Sequence, residues 1–340
     1  MKRIQDDFLN PEFSGMYRLG SLIINISSDH EIALFNDRNL SIFKVSQVTV
    51  PGGEVTVSDG GCADEPHISF FISSFKQDEI DRHTALVSGR WHHNVGMPDR
   101  SILLPDSLIR MFEPIINDVI SRDDGSLYML SEAYLFSAYM KERTAYLSYN
   151  SSLIEGSHLK FMTMLAIRQF LEQFDAIMLH ASSIVVDGMA LLFSGPSGIG
   201  KSTVIRLLNM PMLSDDYVLI QRDGNRFIAH STPFGKECGA GNKGGVSNSG
   251  LTSPQEPAEV GAIYYLMQDD GLSIRRLRHD EALSYSIHSD SNLMHHLCYN
   301  VRGFQFNFLF DMFQQVPVYE MRFKNERIDI NSLRLGALNW

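Results

Sequence analysis

From Gly15 to Asn150 short β-prone runs alternate with polar turns, a pattern that predicts strands rather than helices. The runs are Ser21 to Ile26, Ile42 to Val50, Ile68 to Phe75, Thr84 to Trp91 and Leu127 to Tyr149. One helix is predicted among them around Ser107 to Ile120, with Pro114 in a first turn or at a kink. The period then changes. Between His158 and Ala176, Met164, Ile167, Leu171 and Phe174 recur at helical spacing with Phe170 beside them, tracing one apolar stripe on a helix. A domain boundary is expected just before that helix, near Asn150 to Gly156. It leaves a β-rich N-terminal domain, 1–152, without an assigned role, and a second domain, 153–340.

The second domain opens with a hairpin whose register is readable. Ile184-Val185-Val186 and Met189 to Phe193 flank Asp187-Gly188, a favoured two-residue turn because both positions accept positive φ. Val186 should then face Met189, and counting outward sets His180 opposite Gly195. Further on, Ser202 to Asn209 reads as a short helix ended by Pro211. Met212-Leu213-Ser214 leads into Asp215-Asp216, and Tyr217 to Ile220 continues toward a turn at Asp223-Gly224, a second hairpin. Gly235 to Gly250 is poor in apolar side chains and is expected to be a mobile loop. Val260 to Met267 reads as a strand, Asp280 to Tyr299 as a helix and Val316 to Phe323 as a last strand, with the Tyr and Phe residues of this third expected in the core.

Composition narrows the function. A net charge of −11 on 340 residues argues against nucleic acid and anionic membranes as partners, since both require clustered Lys and Arg. Cys62, Cys238 and Cys298 lie far apart with no metal-ligand pairing, so neither a disulfide framework nor a zinc site is expected, and a reducing cytoplasm fits. With no apolar run of membrane-spanning length and no signal-like N-terminus, a soluble, unexported protein is expected. The adjacent pairs His92-His93 and His295-His296 point apart on a strand or lie off one helical face, which disfavours metal binding. Met162 and Met164 belong to a packing helix.

The chemistry centres on Gly195-Pro196-Ser197-Gly198-Ile199-Gly200-Lys201-Ser202, a full match to the phosphate-binding pattern, set between an apolar strand and a helix. In such a loop backbone N–H groups converge on phosphate oxygens at a helix N-terminus. Lys201 reaches the β/γ-phosphates and the Ser202 hydroxyl ligates magnesium; Thr203 completes the set. ATP and Mg²⁺ are the cofactors expected. Asp215-Asp216 ends a short strand after the loop's helix, where a carboxylate holds the metal; a second carboxylate allows one to serve the metal while the other deprotonates an attacking hydroxyl. His180 joins the site only through its calculated place beside Gly195.

Together, Leu179-His180-Ala181-Ser182, Asp187-Gly188, Gly195 to Thr203 and Leu213-Ser214-Asp215-Asp216 resemble the core of the HPr kinase/phosphorylase-related proteins. The resemblance continues through Thr232-Pro233-Phe234, Ala262 to Leu266 and Val316 to Tyr319, covering about Phe161 to Phe323. It implies an α/β fold similar to phosphoenolpyruvate carboxykinase, with a mixed sheet, and a kinase in which Asp215 is the base, supported by Asp216 and His180. Thr203 stands where the bifunctional enzyme has an acidic residue, and its downstream Gly-rich signature is missing. The chain therefore looks like a divergent relative, of the kind associated with tailoring of ribosomal peptides or phosphorylation of small hydroxyl compounds. The expected acceptor is a serine-like hydroxyl on a peptide, protein or small molecule; a nucleotide-binding NTPase or switch without an acceptor is the alternative. Oligomeric state, a homo-oligomer included, stays open, and an ABC ATPase is disfavoured for want of its signature segment.

Overall fold

The computed structural model describes residues 13–20, 22–28, 44–49, 56–57, 68–74, 118–121, 126–130, 134–154, 156–210, 212–234, 256–294, 299–324, 328 and 333. The chain is α/β and forms two compact units. One comprises Met1–Tyr17, Leu22–Asp37 and Lys44–Phe170; the other comprises Arg18–Ser21, Arg38–Phe43 and Leu171–Trp340.

The first unit is built on a mixed nine-stranded sheet. Its strands are β1 (Phe13–Leu19), β2 (Leu22–Ser28), β3 (Lys44–Thr49), β4 (Thr56–Val57), β5 (Ile68–Ser74), β6 (Asp118–Ser121), β7 (Ser126–Leu130), β8 (Tyr134–Tyr139) and β9 (Thr144–Tyr149). They lie in the order β4-β3-β1-β2-β5-β9-β8-β7-β6, with β5 parallel to both β2 and β9. Alternation sets the buried face: Ile68, Phe70 and Ile72 line up with Ala145 and Leu147 of β9, while Phe71 stacks on Tyr146 on the other side. The expected strands are present as β2, β3, β5 and the set β7 to β9. Thr84 to Trp91 lies outside the described residues, as does Ser107 to Ile120 apart from its last three positions. Those three, Asp118 to Ile120, belong to strand β6 paired with β7, so the expected helix does not extend over them.

Helix α1 (Gly156–Arg168) groups with the first unit. It is shorter than the stripe suggested. The N–H groups of Gln169 and Phe170 reach back to Ala166 and Ile167, a 3₁₀ turn covers Leu171–Phe174, and Asp175 takes φ 47° before the chain enters a strand. The shift to i→i−3 bonds at Gln169 and Phe170 ends the α-helix, so Leu171 and Phe174 fall in the 3₁₀ turn, which Asp175 closes.

The second unit holds a mixed eight-stranded sheet. Its strands are β10 (Ala176–Val186), β11 (Met189–Ser194), β12 (Met212–Ser214), β13 (Tyr217–Asp223), β14 (Arg226–His230), β15 (Ala258–Gln268), β16 (Ser273–Arg276) and β17 (Val318–Phe323); its helices are α2 (Lys201–Leu208), α3 (His279–Met294) and α4 (Tyr299–Gln315). Strands β11, β15 and β17 run parallel, and their pairing sets Ser194, Tyr265 and Glu320 in one row across them. Because β11 pairs with both β10 and β15, the strands β11-β10-β13-β14-β15 close into a ring. Two apolar clusters pack the faces. Ile177, Leu179, Leu192, Ile263 and Val318 meet Leu283 of α3 and Phe308, Leu309 and Met312 of α4, whereas Phe193, Tyr264, Met321 and Phe323 meet Val204, Ile205 and Leu208 of α2. Full burial of such side chains supplies the main favourable term, about 1.5–3 kcal/mol each.

The hairpin has the expected register: Val186 pairs with Met189, with Asp187 at φ 51° and Gly188 at φ 81°. The second hairpin differs by one residue. Asp223 pairs with Arg226, so the turn is Gly224-Asn225, with positive φ carried by Gly224. The helix expected from Asp280 to Tyr299 is present as α3 as far as Met294, positions 295–298 lie outside the described residues, and α4, from Tyr299 to Gln315, was not expected. Phe308 and Phe313 of α4 are core, as expected of that region, but Phe306 and Phe310 are 43% exposed. The loop Gly235 to Gly250, both histidine pairs and the three cysteines lie outside the described residues. Among the described residues no helix is long and apolar enough to cross a membrane.

Candidate functional site

The carboxyl end of β11 runs into the glycine-rich segment and then into α2. Gly195 is buried, Pro196 to Gly198 are exposed, and Ile199 N–H closes a turn on Pro196 O at 3.2 Å. Gly200, the residue before α2, has φ 114° and offers no side-chain cap, so the first N–H groups of the helix are left for other acceptors. A Cβ at Gly200 would stand 2.9 Å from Phe323 Cζ, which makes glycine necessary there on two counts. Gly198 has φ 82° and only open space where a Cβ would go. Gln268, at the end of β15, donates from Nε2 to Ile199 O at 3.4 Å and so touches the loop from the neighbouring strand.

Lys201 is buried, 5% exposed, and its Nζ donates to Gly195 O at 2.9 Å and Pro196 O at 3.3 Å. The ammonium is thus folded beneath the loop it belongs to. Ser202 donates from Oγ to Asp215 Oδ1 at 2.9 Å. Thr203 accepts a hydrogen bond from Arg206 Nη2 at 3.2 Å, one helical turn on. Asp215 and Asp216 occupy the bend between β12 and β13, two strands that both pair with β10. Their carboxylates diverge. Asp215 meets Ser202, while Asp216 Oδ1 lies 3.1 Å from His180 Nε2, with the two side chains only 17% and 13% exposed.

His180 lies one step beyond the last β10–β11 pair, Ala181 with Ser194, and therefore beside Gly195, where counting from the turn puts it. On its other side it pairs with Tyr217, whose ring stacks on the imidazole at 5.2 Å and 26°. Buried hydroxyls complete the surroundings: Ser182 donates to Asp215 O, and Ser194 donates to His180 O at 2.9 Å. Tyr217 O accepts from Ser214 at 2.5 Å and from Thr232 at 2.6 Å. The geometry therefore brings His180, Lys201, Ser202, Asp215 and Asp216 to one end of the sheet. Tyr217, Ser182, Ser194, Ser214, Thr232 and Gln268 had no role assigned from sequence.

Among the described residues no group of three or more His, Cys, Asp or Glu is arranged to hold a metal. A magnesium ion carried by nucleotide phosphates needs only one or two protein oxygens, and the Ser202 hydroxyl beside the Asp215 carboxylate is a donor set of that kind.

Fold and site define an α/β protein with a glycine-rich strand–loop–helix connection facing paired carboxylates across a mixed sheet. Within that class the chain belongs to the family described as SynChlorMet cassette protein ScmC, whose model matches residues 157–326. No curated protein matches it. Among solved structures, the Hpr(Ser) kinase/phosphatase from Coxiella burnetii matches over 48% of this chain and 93% of its own, at 15% identity and a TM-score of 0.24, a distant relationship.

Proposed function

We propose that this protein is an ATP- and magnesium-dependent kinase that transfers the γ-phosphate to a serine-like hydroxyl of a peptide, protein or small molecule. The observation that carries the reading is the divergence of two adjacent carboxylates, Asp215 onto Ser202 and Asp216 onto His180. A water-activating NTPase has no need of a second, histidine-held carboxylate. In this reading the loop amides and the open N-terminus of α2 bind the phosphates, and Lys201 turns from its loop carbonyls toward them. Ser202 and Asp215 would hold magnesium, which when bound neutralises charge on the β- and γ-phosphate oxygens.

Asp216 is the base. Its carboxylate takes the proton of the acceptor hydroxyl as the acceptor oxygen bonds to phosphorus and the bond to the nucleoside diphosphate breaks. His180 Nε2 holds Oδ1, and the stacked Tyr217 ring helps keep water from the pair. This exchanges the roles that the family resemblance implies, in which Asp215 is the base.

The test is isothermal titration with Mg·ATP beside labelled-phosphate transfer to hydroxyl-bearing peptides and small molecules. Asp216→Asn should bind Mg·ATP within a few-fold of wild type and lose transfer by about 10²–10⁴-fold. Asp215→Asn should lose magnesium-dependent affinity as well as turnover. If wild type and both variants hydrolyse ATP alike and no acceptor is ever labelled, the kinase reading fails and a nucleotide switch replaces it.

A further inference from the structure

Four hydroxyls around the Asp215–Asp216 bend are deeply buried: Ser182 and Ser194 are 0% exposed, Ser214 1% and Thr232 5%. Each donates to a backbone carbonyl of a residue that carries the site's side chains: Asp215, His180 or Tyr217. Carbonyls at the ends of paired strands require such donors once the ladder stops. The bond from Ser182 has a particular consequence. The Asp215 carbonyl and the Asp216 N–H belong to one rigid peptide plane. Fixing that carbonyl restricts ψ of Asp215 and φ of Asp216, the torsions that direct the two carboxylates to their separate partners. Ser182 also sits two residues from His180 on β10, on the same face, so the strand that presents the imidazole also holds the plane between the carboxylates. Ser194 adds the third tie, since it ends β11, precedes the loop, and holds the His180 carbonyl.

We propose that Ser182, seconded by Ser194, is a positioning residue: its hydroxyl sets the Asp215–Asp216 peptide plane and thereby the contact of Asp216 with His180. The neighbouring Ser183 supplies an internal control. It is also 0% exposed, but its Oγ has no hydrogen-bond partner among the described residues.

This inference rests on the kinase reading for the reaction it slows, so the experiment adds a readout independent of turnover. Ser182→Ala, Ser194→Ala and Ser183→Ala are compared with wild type by urea unfolding, Mg·ATP titration, turnover, and imidazole ¹⁵N resonances of His180. Ser182→Ala should stay folded, bind Mg·ATP within about threefold of wild type, slow turnover at least about tenfold, and shift the His180 resonances. Ser183→Ala should change none of these. Ser194→Ala should shift the same resonances, which keeps the claim testable should Ser182→Ala fail to fold. Unshifted His180 resonances in both variants, or turnover of Ser182→Ala equal to that of Ser183→Ala, would overturn the positioning role. Should wild type hydrolyse ATP without labelling any acceptor, the kinase reading falls, while the His180 signal still decides whether Ser182 positions the pair.

Discussion

Replacing Gly200 by alanine tests the loop geometry with a single methyl group. At φ 114° an L residue is strained, and strain of this kind costs about 1–3 kcal/mol. The new Cβ would also lie 2.9 Å from Phe323 Cζ, inside the usual carbon contact distance of about 3.5–4.0 Å. Phe323 has little freedom to retreat, because it is 3% exposed and packed in the cluster with Val204, Ile205 and Leu208 of α2. Overpacking adds about 1–3 kcal/mol, so the expected total is about 2–6 kcal/mol. Gly198→Ala isolates the first contribution. Its φ of 82° is also left-handed, but its Cβ meets nothing within 4 Å, which leaves only the backbone cost of about 1–3 kcal/mol. Urea unfolding of both variants measures the difference, with an unchanged m-value as the sign that the same transition is being followed. If the two substitutions destabilise equally, the contact with Phe323 does not constrain the loop, and the need for glycine at Gly200 reduces to φ alone.

Glu320→Gln probes the row that crosses the parallel strands at Ser194, Tyr265 and Glu320. Burial pushes the Glu320 carboxyl up, but hydrogen bonds from Tyr285, Arg322 and Arg275 outweigh it and bring it down to about 2 from 4.5. A depressed folded-state value stabilises above the unfolded value, so up to about 3 kcal/mol should be present at pH 7, less for screening of the half-exposed arginines. That contribution should fade as pH falls from about 4.5 toward 2, and a deficit in the Gln variant that did not shrink over this window would refute the assignment. Lys201→Ala removes the hydrogen bonds from Nζ to two loop carbonyls; it should remain folded, measured by circular dichroism, and lose at least about 10²-fold in nucleotide-dependent turnover. Wild-type ATP affinity and turnover in that variant would remove the phosphate site from this loop.

Local chemistry makes part of this site legible in the amino-acid sequence. A two-residue Asp-Gly turn fixes hairpin register by itself, so the neighbours of His180 on β11 can be counted outward from it. The glycine pattern of the loop is equally local. The hidden part depends on pairings between distant segments. Nothing in Met212-Leu213-Ser214 announces that β12 lies against β10, and without that pairing the partner of each aspartate has no address. The hydroxyls are invisible for a different reason: a serine in a strand has no periodic signature, and its value lies in which carbonyl it meets. The apolar stripe overstates α1, because the chain passes into 3₁₀ geometry at Gln169 and Phe170 before the stripe ends. The extra strand β16 is short and mostly exposed, and so lacks the apolar pattern by which strands are recognised.

One period explains why the site assembles. Successive residues of a strand face opposite ways and alternate residues face the same way. His180 and Ser182 therefore present themselves together, and each meets one half of the Asp215–Asp216 bend, the imidazole at the Asp216 carboxylate and the hydroxyl at the Asp215 carbonyl. The adjacent aspartates obey the complementary rule, their carboxylates parting toward Ser202 and His180. A slip of one residue between β10 and β11 would replace His180 and Ser182 on this face by Leu179, Ala181 and Ser183. The turn at Asp187-Gly188 prevents that slip, with φ of 51° and 81° suited to a two-residue connection and Val186 held against Met189. A turn six pairs from the last ladder position thus decides which atoms reach the carboxylates.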